Sequence, residues 1–243
     1  KFAKKVYKMV YIQSDKERKL PHNFDAACAL YGAMDSVQDV RLTSFEEVVS
    51  GKFDALIRKH LFVGSVEFMT EVFKRINKHI PSMSNPYQDY TTTTLSIAKE
   101  KIANGEKWFI KPTQTKLFTG MVFDLMTLSN LNPYPDDTEV LMAKPFEKKI
   151  ISETRCYIRH NKIVDARNYS GDFKVMPNWE FADIMCRALL DPPAAYTIDI
   201  GILEDNTNVV VEFNDMWAIG NYGIDNMEYY KLLRERYFEI VRF

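Results

Sequence analysis

Two apolar runs that flank a polar tetrapeptide constrain the fold of this chain more than any other part of its sequence. The runs cover residues 197–203 and 209–213, and Asp, Asn and Thr fill positions 205–208 between them. That composition is typical of a tight turn between two strands. We therefore predict an antiparallel β-hairpin in which residues 205–208 form the loop and Glu204 pairs with Val209.

The predicted hairpin collects three oxygen-bearing side chains on one face. Asp199 faces Asn214 across the strands and lies diagonal to Glu212, and side chains two positions apart on a strand share a face. Two carboxylates and an amide oxygen suit Mg²⁺ or Mn²⁺ better than zinc. We favour a metal site over solvated strand-end residues, because an unpaired Glu212 in an apolar strand costs about 2 kcal/mol or more. A one-residue shift in the turn would separate the three faces.

A second predicted hairpin places two arginines opposite each other. With residues 160–162 as a three-residue turn, Arg159 pairs with Ile163, and Arg155 lies directly across from Arg167. Like charges in that position destabilise a sheet, and guanidinium groups bind phosphate or carboxylate. We predict that an anion lies between them. The alternatives are a surface pair or a two-residue turn that separates the side chains.

Two lysines lie at or near the end of a third predicted strand. Residues 108–110 are apolar, Lys111 and a proline follow, and Lys116 opens the stretch Lys-Leu-Phe-Thr-Gly. A lysine at a strand end reaches a phosphate as a point charge, although many such lysines are only solvated. Residues 140–147 repeat the pattern of a strand followed by Lys-Pro, and their backbone is suited to border a flat ring.

Composition excludes several classes of protein. The net charge is −1, from 32 Lys and Arg against 33 Asp and Glu. A dedicated nucleic-acid-binding protein needs a basic excess, although a local basic groove stays open. Three cysteines favour a reducing compartment without disulfides, and no apolar run reaches the roughly 18 residues of a membrane span. We therefore predict a cytoplasmic protein without a membrane partner.

Glycine is scarce, which limits how the chain can bind a nucleotide. Only 9 of 243 residues are glycine, and neither G-x-G-x-x-G nor G-x-x-x-x-G-K-[ST] occurs. A nucleotide-binding site in this chain would therefore use neither a dinucleotide-fold fingerprint nor a P-loop.

Strand and helix patterns alternate in the first 80 residues, which favours a small α/β unit. A stretch with two prolines at 80–90 predicts a boundary, and hence domains at 1–84 and 85–243. The predicted strands cover 6–13, 40–42, 55–57, 61–63, 108–110, 140–142, 150–158, 163–167, 197–203 and 209–213. The predicted helices cover 25–31, the stretch after Ser65, 95–102, 179–190 and 226–241.

The order of these motifs resembles the ATP-grasp superfamily of carboxylate–amine ligases. An Ile-Lys-Pro strand, a Lys-Leu-Phe-Thr-Gly loop, a strand leading to a hinge, a Glu-Thr-Arg strand and Asp…Glu-Phe-Asn follow one another. The resemblance covers about residues 85–243 and implies an ATP-grasp fold of the α/β (α+β) class, preceded by a small pre-ATP-grasp domain. The sequence also resembles a clade of ligase-like proteins frequent in bacteriophages, through residues 64–67, 111–112, 116–120, 212–215 and 222–223.

The resemblance implies roles for individual residues. Lys111 would contact the nucleotide near its α-phosphate, and the stretch 142–147 would border the adenine. The predicted nucleotide-binding residues are Lys111, Lys116, Met142, Ala143, Lys144, Pro145, Phe146 and Glu147. Asp199, Glu212 and Asn214 match the Mg²⁺ ligands of the superfamily, and Arg155 and Arg167 are the candidates for stabilising an acyl phosphate. A shorter segment, 114–120, stands where the family has a glycine-rich loop.

The implied function is ATP-dependent ligation. A substrate carboxylate would be activated as an acyl phosphate and joined to an amine on a small molecule, a peptide or a protein, with release of ADP and phosphate. The implied cofactors are ATP and Mg²⁺, with Mn²⁺ as an alternative metal, and the location is the cytoplasm, or the host cytoplasm if the chain is viral. A phosphotransferase on the same fold and a nucleotide-binding module without turnover stay open.

Overall fold

The structure is a computed structural model, and it describes residues 9–20, 24–36, 38–80, 83, 89–114 and 117–242. The chain divides into two compact units. Unit 1 contains Lys1–Ser84 and Ile151–Phe243, and unit 2 contains Asn85–Ile150. The first division coincides with the predicted boundary after residue 84. The assignment of 1–84 and 85–243 as two domains stays a prediction, since packing joins the first segment to the residues after 150.

The N-terminal part of unit 1, as far as the structure describes it, contains a parallel sheet and four helices. Its strand order is β2-β1-β3. The strands are β1 (Met9–Gln13), β2 (Asp39–Thr43) and β3 (Leu61–Val63), and the helices are α1 (Phe24–Asp35), α2 (Phe45–Val49), α3 (Asp54–Ile57) and α4 (Val66–Lys74). Strand β3 is buried throughout, as is typical of a strand in a parallel sheet. This part of the chain is the small α/β unit that the alternating pattern predicts.

Side-chain caps begin two of these helices. Ser65 accepts a hydrogen bond from the backbone N–H of Phe68 at 3.3 Å, and Ser44 forms a capping box with Glu47. The predicted strand at 55–57 is wrong, because these residues belong to helix α3. A three-residue apolar run has no period that distinguishes a strand from one helical turn.

Unit 2 contains an antiparallel sheet of order β4-β7-β5-β6. Its elements are β4 (Thr91–Thr94), α5 (Leu95–Ala103), β5 (Trp108–Pro112), β6 (Met121–Phe123) and β7 (Glu139–Ala143). Helix α5 packs Leu95 and Ile102 against Ile110 and Val140 of the sheet. The run of four threonines in β4 carries no sequence periodicity, but β-branched side chains favour an extended edge strand.

The C-terminal part of unit 1 contains a second sheet, of order β11-β10-β8-β9. Its elements are β8 (Ile150–Arg159), β9 (Lys162–Gly171), α6 (Trp179–Arg187), β10 (Ala195–Leu203), β11 (Asn208–Asp215) and α7 (Asn226–Arg242). The pairs β8–β9 and β10–β11 are antiparallel, which confirms both predicted hairpins. Helix α6 ends three residues before the predicted end at 190.

One face of this second sheet is apolar and covered by helix α6. Ala182 and Cys186 of the helix pack against Cys156, Ile158 and Ile198 of the strands. Alternation along a strand then directs the remaining side chains of β8 and β10 to the opposite face. That opposite face contains the polar residues described below.

Helices α1 and α7 pack closely in unit 1. A Cβ atom on Gly32 would lie 2.2 Å from the backbone oxygen of Asn226 and 2.6 Å from the Cβ of Tyr230. Only glycine therefore permits this approach of the two helices. Within the part of the chain that the structure describes, no helix is long and apolar enough to cross a membrane.

Candidate functional site

The β10–β11 hairpin has a different register from the predicted one. The bond from Leu203 N–H to Thr207 O, at 2.9 Å, closes the turn one residue earlier, and Ile202 pairs with Asn208. The predicted pairing of Glu204 with Val209 is therefore wrong. Turn composition locates a polar loop, but it does not fix the loop's first residue.

A β-bulge in this hairpin places Asp199 and Glu212 on the same face of the sheet. The register shifts between Asp199 and Ile200, so that Val211 is an extra residue on β11 and Asp199 lies directly opposite Glu212. Asn214 lies two residues beyond Glu212, and its Nδ2 donates a hydrogen bond to Glu212 Oε1 at 2.8 Å. The three predicted metal ligands consequently share one face, although the prediction had Asp199 opposite Asn214.

Asp199 lies at the buried centre of this face. It is 0% exposed, and Arg155 of β8 is 4% exposed. The guanidinium donates from Nε to Oδ1 at 2.8 Å and from Nη2 to Oδ2 at 2.7 Å. Burial raises the pKa of Asp199 to about 6, although the hydrogen bonds and charge of Arg155 act to lower it. Glu212 is more open, with its Oε1 3.8 Å from Arg155 Nη2.

The β8–β9 hairpin confirms the predicted pairing of Arg155 with Arg167. The turn itself differs, because Arg159 pairs with Lys162 and the loop has two residues. His160 and Asn161 have φ of 49° and 58°, as a type I′ turn requires. A bulge between residues 157 and 158 then restores the predicted register at the arginines.

The two arginines occupy different surroundings, and each has its own carboxylate. Arg155 binds Asp199 and is buried, whereas Arg167 donates from Nη2 to Asp165 Oδ2 at 2.8 Å and its side chain is 40% exposed. The Nε of Arg167 is buried and has no hydrogen-bond partner among the described residues. Neighbouring aspartates therefore stabilise the opposed arginines, where the sequence predicted one anion between them.

One tyrosine of β9 and one of the loop before α7 complete this face, and sequence reasoning missed the first of them. The hydroxyl of Tyr169 on β9 lies 2.7 Å from Glu153 Oε2 and 3.3 Å from Asp199 Oδ2. Its ring stacks on Tyr222, with centroids 4.7 Å apart and planes at 10°. The Cζ of Arg155 is 4.7 Å from the Tyr222 centroid. The only sequence signal for Tyr169 is its position two residues after an arginine of the same strand.

The loop before α7 is tied to this face by backbone groups. The hydroxyl of Tyr157 donates to the carbonyl of Gly220 at 2.8 Å, and Nη1 of Arg155 lies 3.5 Å from the same oxygen. Asp215, at the end of β11, accepts from Arg236 of α7 at 2.7 and 2.6 Å. The stretch 215–220, which follows the predicted metal ligands, is therefore anchored at both ends within unit 1.

The predicted nucleotide-binding residues lie in unit 2. Lys111 belongs to β5, and its Nζ is 4.8 Å from the centroid of Tyr90. The ammonium of Lys144 contacts Glu106 at 3.1 Å and lies 3.7 Å from the Trp108 centroid. Lys144 is thus paired with a carboxylate within the same unit.

The rest of the predicted adenine-bordering stretch follows the end of β7. Met142 and Ala143 are buried in that strand, whereas Pro145, Phe146 and Glu147 are partly or fully exposed and lie outside regular secondary structure. Lys116 lies outside the described residues.

The fold and the polar sheet face define a protein of the ATP-grasp type. The chain matches the family model described as ATP-grasp domain, R-2-K clade family 2, over residues 88–232, which is more than half of its length. The chain therefore belongs to this family, and the predicted ATP-grasp fold is confirmed. A search of the curated proteins finds no match.

Solved structures of ATP-grasp ligases share this fold at low sequence identity. D-alanine–D-alanine ligase from Bacillus anthracis, complexed with ATP, has a TM-score of 0.54 and 13% identity, with 96% of this chain and 98% of that chain covered. The ATP-grasp ligase PsnB, complexed with minimal precursor, has a TM-score of 0.53 and 11% identity, with 94% and 99% covered. N5-carboxyaminoimidazole synthetase from Staphylococcus aureus, complexed with ADP, has a TM-score of 0.51 and 10% identity, with 94% and 76% covered. At these identities the likeness shows the fold alone.

The donor set on the sheet face fits the magnesium ion that the fold implies. Asp199, Glu212 and Asn214 supply only oxygen ligands, and protein sites commonly bind Mg²⁺ through one or two carboxylates plus phosphate oxygens of the substrate. Each oxygen of Asp199 accepts one hydrogen bond from Arg155 and retains further lone pairs. Among the described residues, no three His, Cys, Asp or Glu side chains group together as a metal site. The candidate set consists instead of two carboxylates and one amide oxygen.

Proposed function

We propose that this protein is an ATP-dependent ligase that activates a carboxylate as an acyl phosphate and joins it to an amine. Membership of an ATP-grasp family supports a ligase-type role. The observation that carries the proposal is the convergence of Asp199, Glu212, Asn214 and two arginines on one sheet face. A carboxylate and a triphosphate are both anionic, so their reaction needs metal ligands and cationic side chains in one place.

Each predicted binding residue has a role in this proposal. Lys111 and Lys116 would bind phosphate oxygens, and the stretch 142–147 would border the adenine. Asp199, Glu212 and Asn214 would hold the metal. When bound, Mg²⁺ would neutralise charge on the β- and γ-phosphates. Mn²⁺ offers the same charge and accepts the same oxygen ligands.

The two arginines have different tasks in this proposal. Two of the nitrogens of Arg155 bind Asp199, and the side chain is buried. Arg167 is partly exposed, and its buried Nε is unpaired among the described residues. An unsatisfied buried donor costs about 1–3 kcal/mol, and a bound oxyanion would remove that cost. Arg167 is therefore our candidate for the residue that contacts the substrate carboxylate, and Arg155 the residue that holds Asp199.

The reaction needs no nucleophile from the protein. A carboxylate oxygen attacks the γ-phosphorus, the bond from that phosphorus to the β–γ bridging oxygen breaks, and ADP leaves. The amine nitrogen then attacks the acyl carbon, the bond from that carbon to the phosphate oxygen breaks, and the nitrogen loses a proton. The cationic groups stabilise the oxygens on which negative charge collects.

Product analysis tests the proposal against its alternatives. Mixtures of candidate acids and amines with Mg·ATP would be screened for ADP release, and positive mixtures analysed by mass spectrometry. A ligase yields ADP, phosphate and an amide in equal amounts. A phosphotransferase yields a stable phosphorylated product, and a module without turnover yields none of these, so either result would replace the proposal.

A further inference from the structure

Tyr169 lies where two carboxylates from different strands approach each other. Its hydroxyl is 2.7 Å from Glu153 of β8 and 3.3 Å from Asp199 of β10, so the side chain extends from β9 across β8 to β10. A phenol has one proton and donates to one carboxylate at a time.

A β-bulge directs Tyr169 to this position. Glu153 pairs with Ser170 and Thr154 pairs with Asn168, so Tyr169 is the extra residue on β9. Bulges re-aim single side chains and are frequent beside functional sites. In the regular register Tyr169 would lie directly opposite Glu153.

The ring of Tyr169 also acts on Arg155, the ion-pair partner of Asp199. It stacks on Tyr222, and the two ring centroids are 4.7 Å apart. The Tyr222 ring in turn lies against the Arg155 guanidinium, whose Cζ is 4.7 Å from the Tyr222 centroid. A cation over an aromatic face is attracted by the ring. Tyr222 has φ of 44°, a left-handed conformation that a non-glycine residue keeps only when its surroundings hold it.

We propose that Tyr169 is a positioning residue of the metal–nucleotide site. Its hydroxyl, which lies 2.7 Å from Glu153 Oε2 and 3.3 Å from Asp199 Oδ2, confines Asp199 from one side, and its ring, through Tyr222, holds Arg155 against Asp199 from the other. Asp199 is thereby fixed beside Glu212 and Asn214. The inference rests on the proposed function, because it assigns these contacts to the binding of the metal ion.

The test compares two tyrosines that differ in the face they occupy. Tyr169→Phe removes the hydroxyl and keeps the ring. Tyr196→Phe is the matched control, because Tyr196 of β10 is 0% exposed and donates its hydroxyl to the Cys186 carbonyl at 2.7 Å on the apolar face. Mn²⁺ binding in the presence of the non-hydrolysable nucleotide AMP-PNP is measured by electron paramagnetic resonance, and folding by circular dichroism.

The expected result is a weaker Mn²⁺ affinity in Tyr169→Phe, by about 10-fold or more, as for residues that orient metal ligands. Tyr196→Phe should bind Mn²⁺ within about twofold of the unaltered chain. An Mn²⁺ affinity of Tyr169→Phe within about twofold of the unaltered chain would overturn the inference and leave the proposed function standing. An unaltered chain that binds no Mn²⁺ with AMP-PNP would overturn both.

A second pair of variants tests the ring without altering the hydroxyl. Tyr222 is 48% exposed, so we expect the variants Tyr222→Leu and Tyr222→Phe to stay folded. Tyr222→Phe should retain Mn²⁺ affinity and Tyr222→Leu should lose about 10-fold. Equal affinities in the two variants would contradict the role of the stack. If Tyr169→Phe does not fold, the two Tyr222 variants alone test whether the tyrosine stack positions Arg155 at the metal–nucleotide site.

Discussion

Arg155 and Asp199 form a buried two-pronged ion pair between neighbouring strands. Nε of Arg155 is 2.8 Å from Oδ1 of Asp199, and Nη2 is 2.7 Å from Oδ2. Both residues are at most 4% exposed. Removing one partner of such a pair leaves an uncompensated buried charge, whereas the intact pair offsets much of its own desolvation. The pair accounts for a sheet that tolerates two arginines directly across from each other, and it places a carboxylate at the centre of the proposed metal site.

Arg155→Ala should strongly destabilise the ligand-free protein. The free energy of unfolding should fall by about 3–5 kcal/mol, because Asp199 would remain buried without its cation. Urea unfolding at neutral pH measures the change. Arg167→Ala is the control on the same pair of strands, with an expected loss of less than about 1 kcal/mol because its ion pair is partly exposed. Equal losses in the two variants would contradict the different surroundings of the arginines.

Arg167→Ala should lower ligase activity without lowering nucleotide affinity. The expected defect is a higher KM for the carboxylate substrate, since Arg167 is the arginine with a donor left for an oxyanion. Arg167→Lys should recover only part of the activity, because lysine provides a point charge and no planar fork. Initial rates of ADP release against carboxylate concentration measure both variants. An unchanged KM in Arg167→Ala would remove this residue from the substrate site.

Glu47→Gln should change the dependence of stability on pH. Hydrogen bonds from Arg18, at 2.6 and 2.7 Å, hold the pKa of Glu47 well below its usual value. Because the folded-state pKa is lowered, the Glu47 carboxylate contributes to the free energy of unfolding above its unfolded pKa, near 4.5. This contribution is lost progressively as the pH falls from there toward the folded-state pKa. At pH 7 the variant should be less stable by about 1–2 kcal/mol.

Urea unfolding at pH 7, 5 and 3 tests the Glu47 prediction. The difference between Glu47→Gln and the unaltered chain should shrink at pH 3. Glu17→Gln is the control, since the Glu17 side chain is 71% exposed and should contribute little at any pH. A difference that stays constant from pH 7 to pH 3 would show that the carboxylate charge is not the cause.

The sequence contains enough information to place the metal-ligand candidates on one face, but not enough to give their register. Alternation and turn composition predict both hairpins. Both turns nevertheless start or end one residue away from the prediction, and bulges at Val211 and near residue 164 restore the faces. A bulge depends on how the whole sheet packs, so a single strand's pattern does not reveal it.

The Arg155–Asp199 pair was beyond prediction for a different reason. The two residues are 44 positions apart and meet only because β10 lies next to β8 in the sheet order. Each hairpin is predicted from its own local pattern, and local patterns do not specify how separate hairpins align. The contact of Tyr169 with Asp199 has the same origin, with one more strand between them.

Calorimetry of AMP-PNP binding with and without Mg²⁺ measures whether the β10–β11 hairpin holds a metal ion beside the nucleotide. Glu212→Gln removes one proposed ligand, and Glu204→Gln is the matched control, because Glu204 is exposed at the turn of the same hairpin. We expect Mg²⁺-dependent binding in the unaltered chain and in Glu204→Gln, and an affinity at least about 10-fold weaker in Glu212→Gln. Equal Mg²⁺-dependent affinities in the two glutamine variants, or no Mg²⁺ dependence in the unaltered chain, would contradict this expectation.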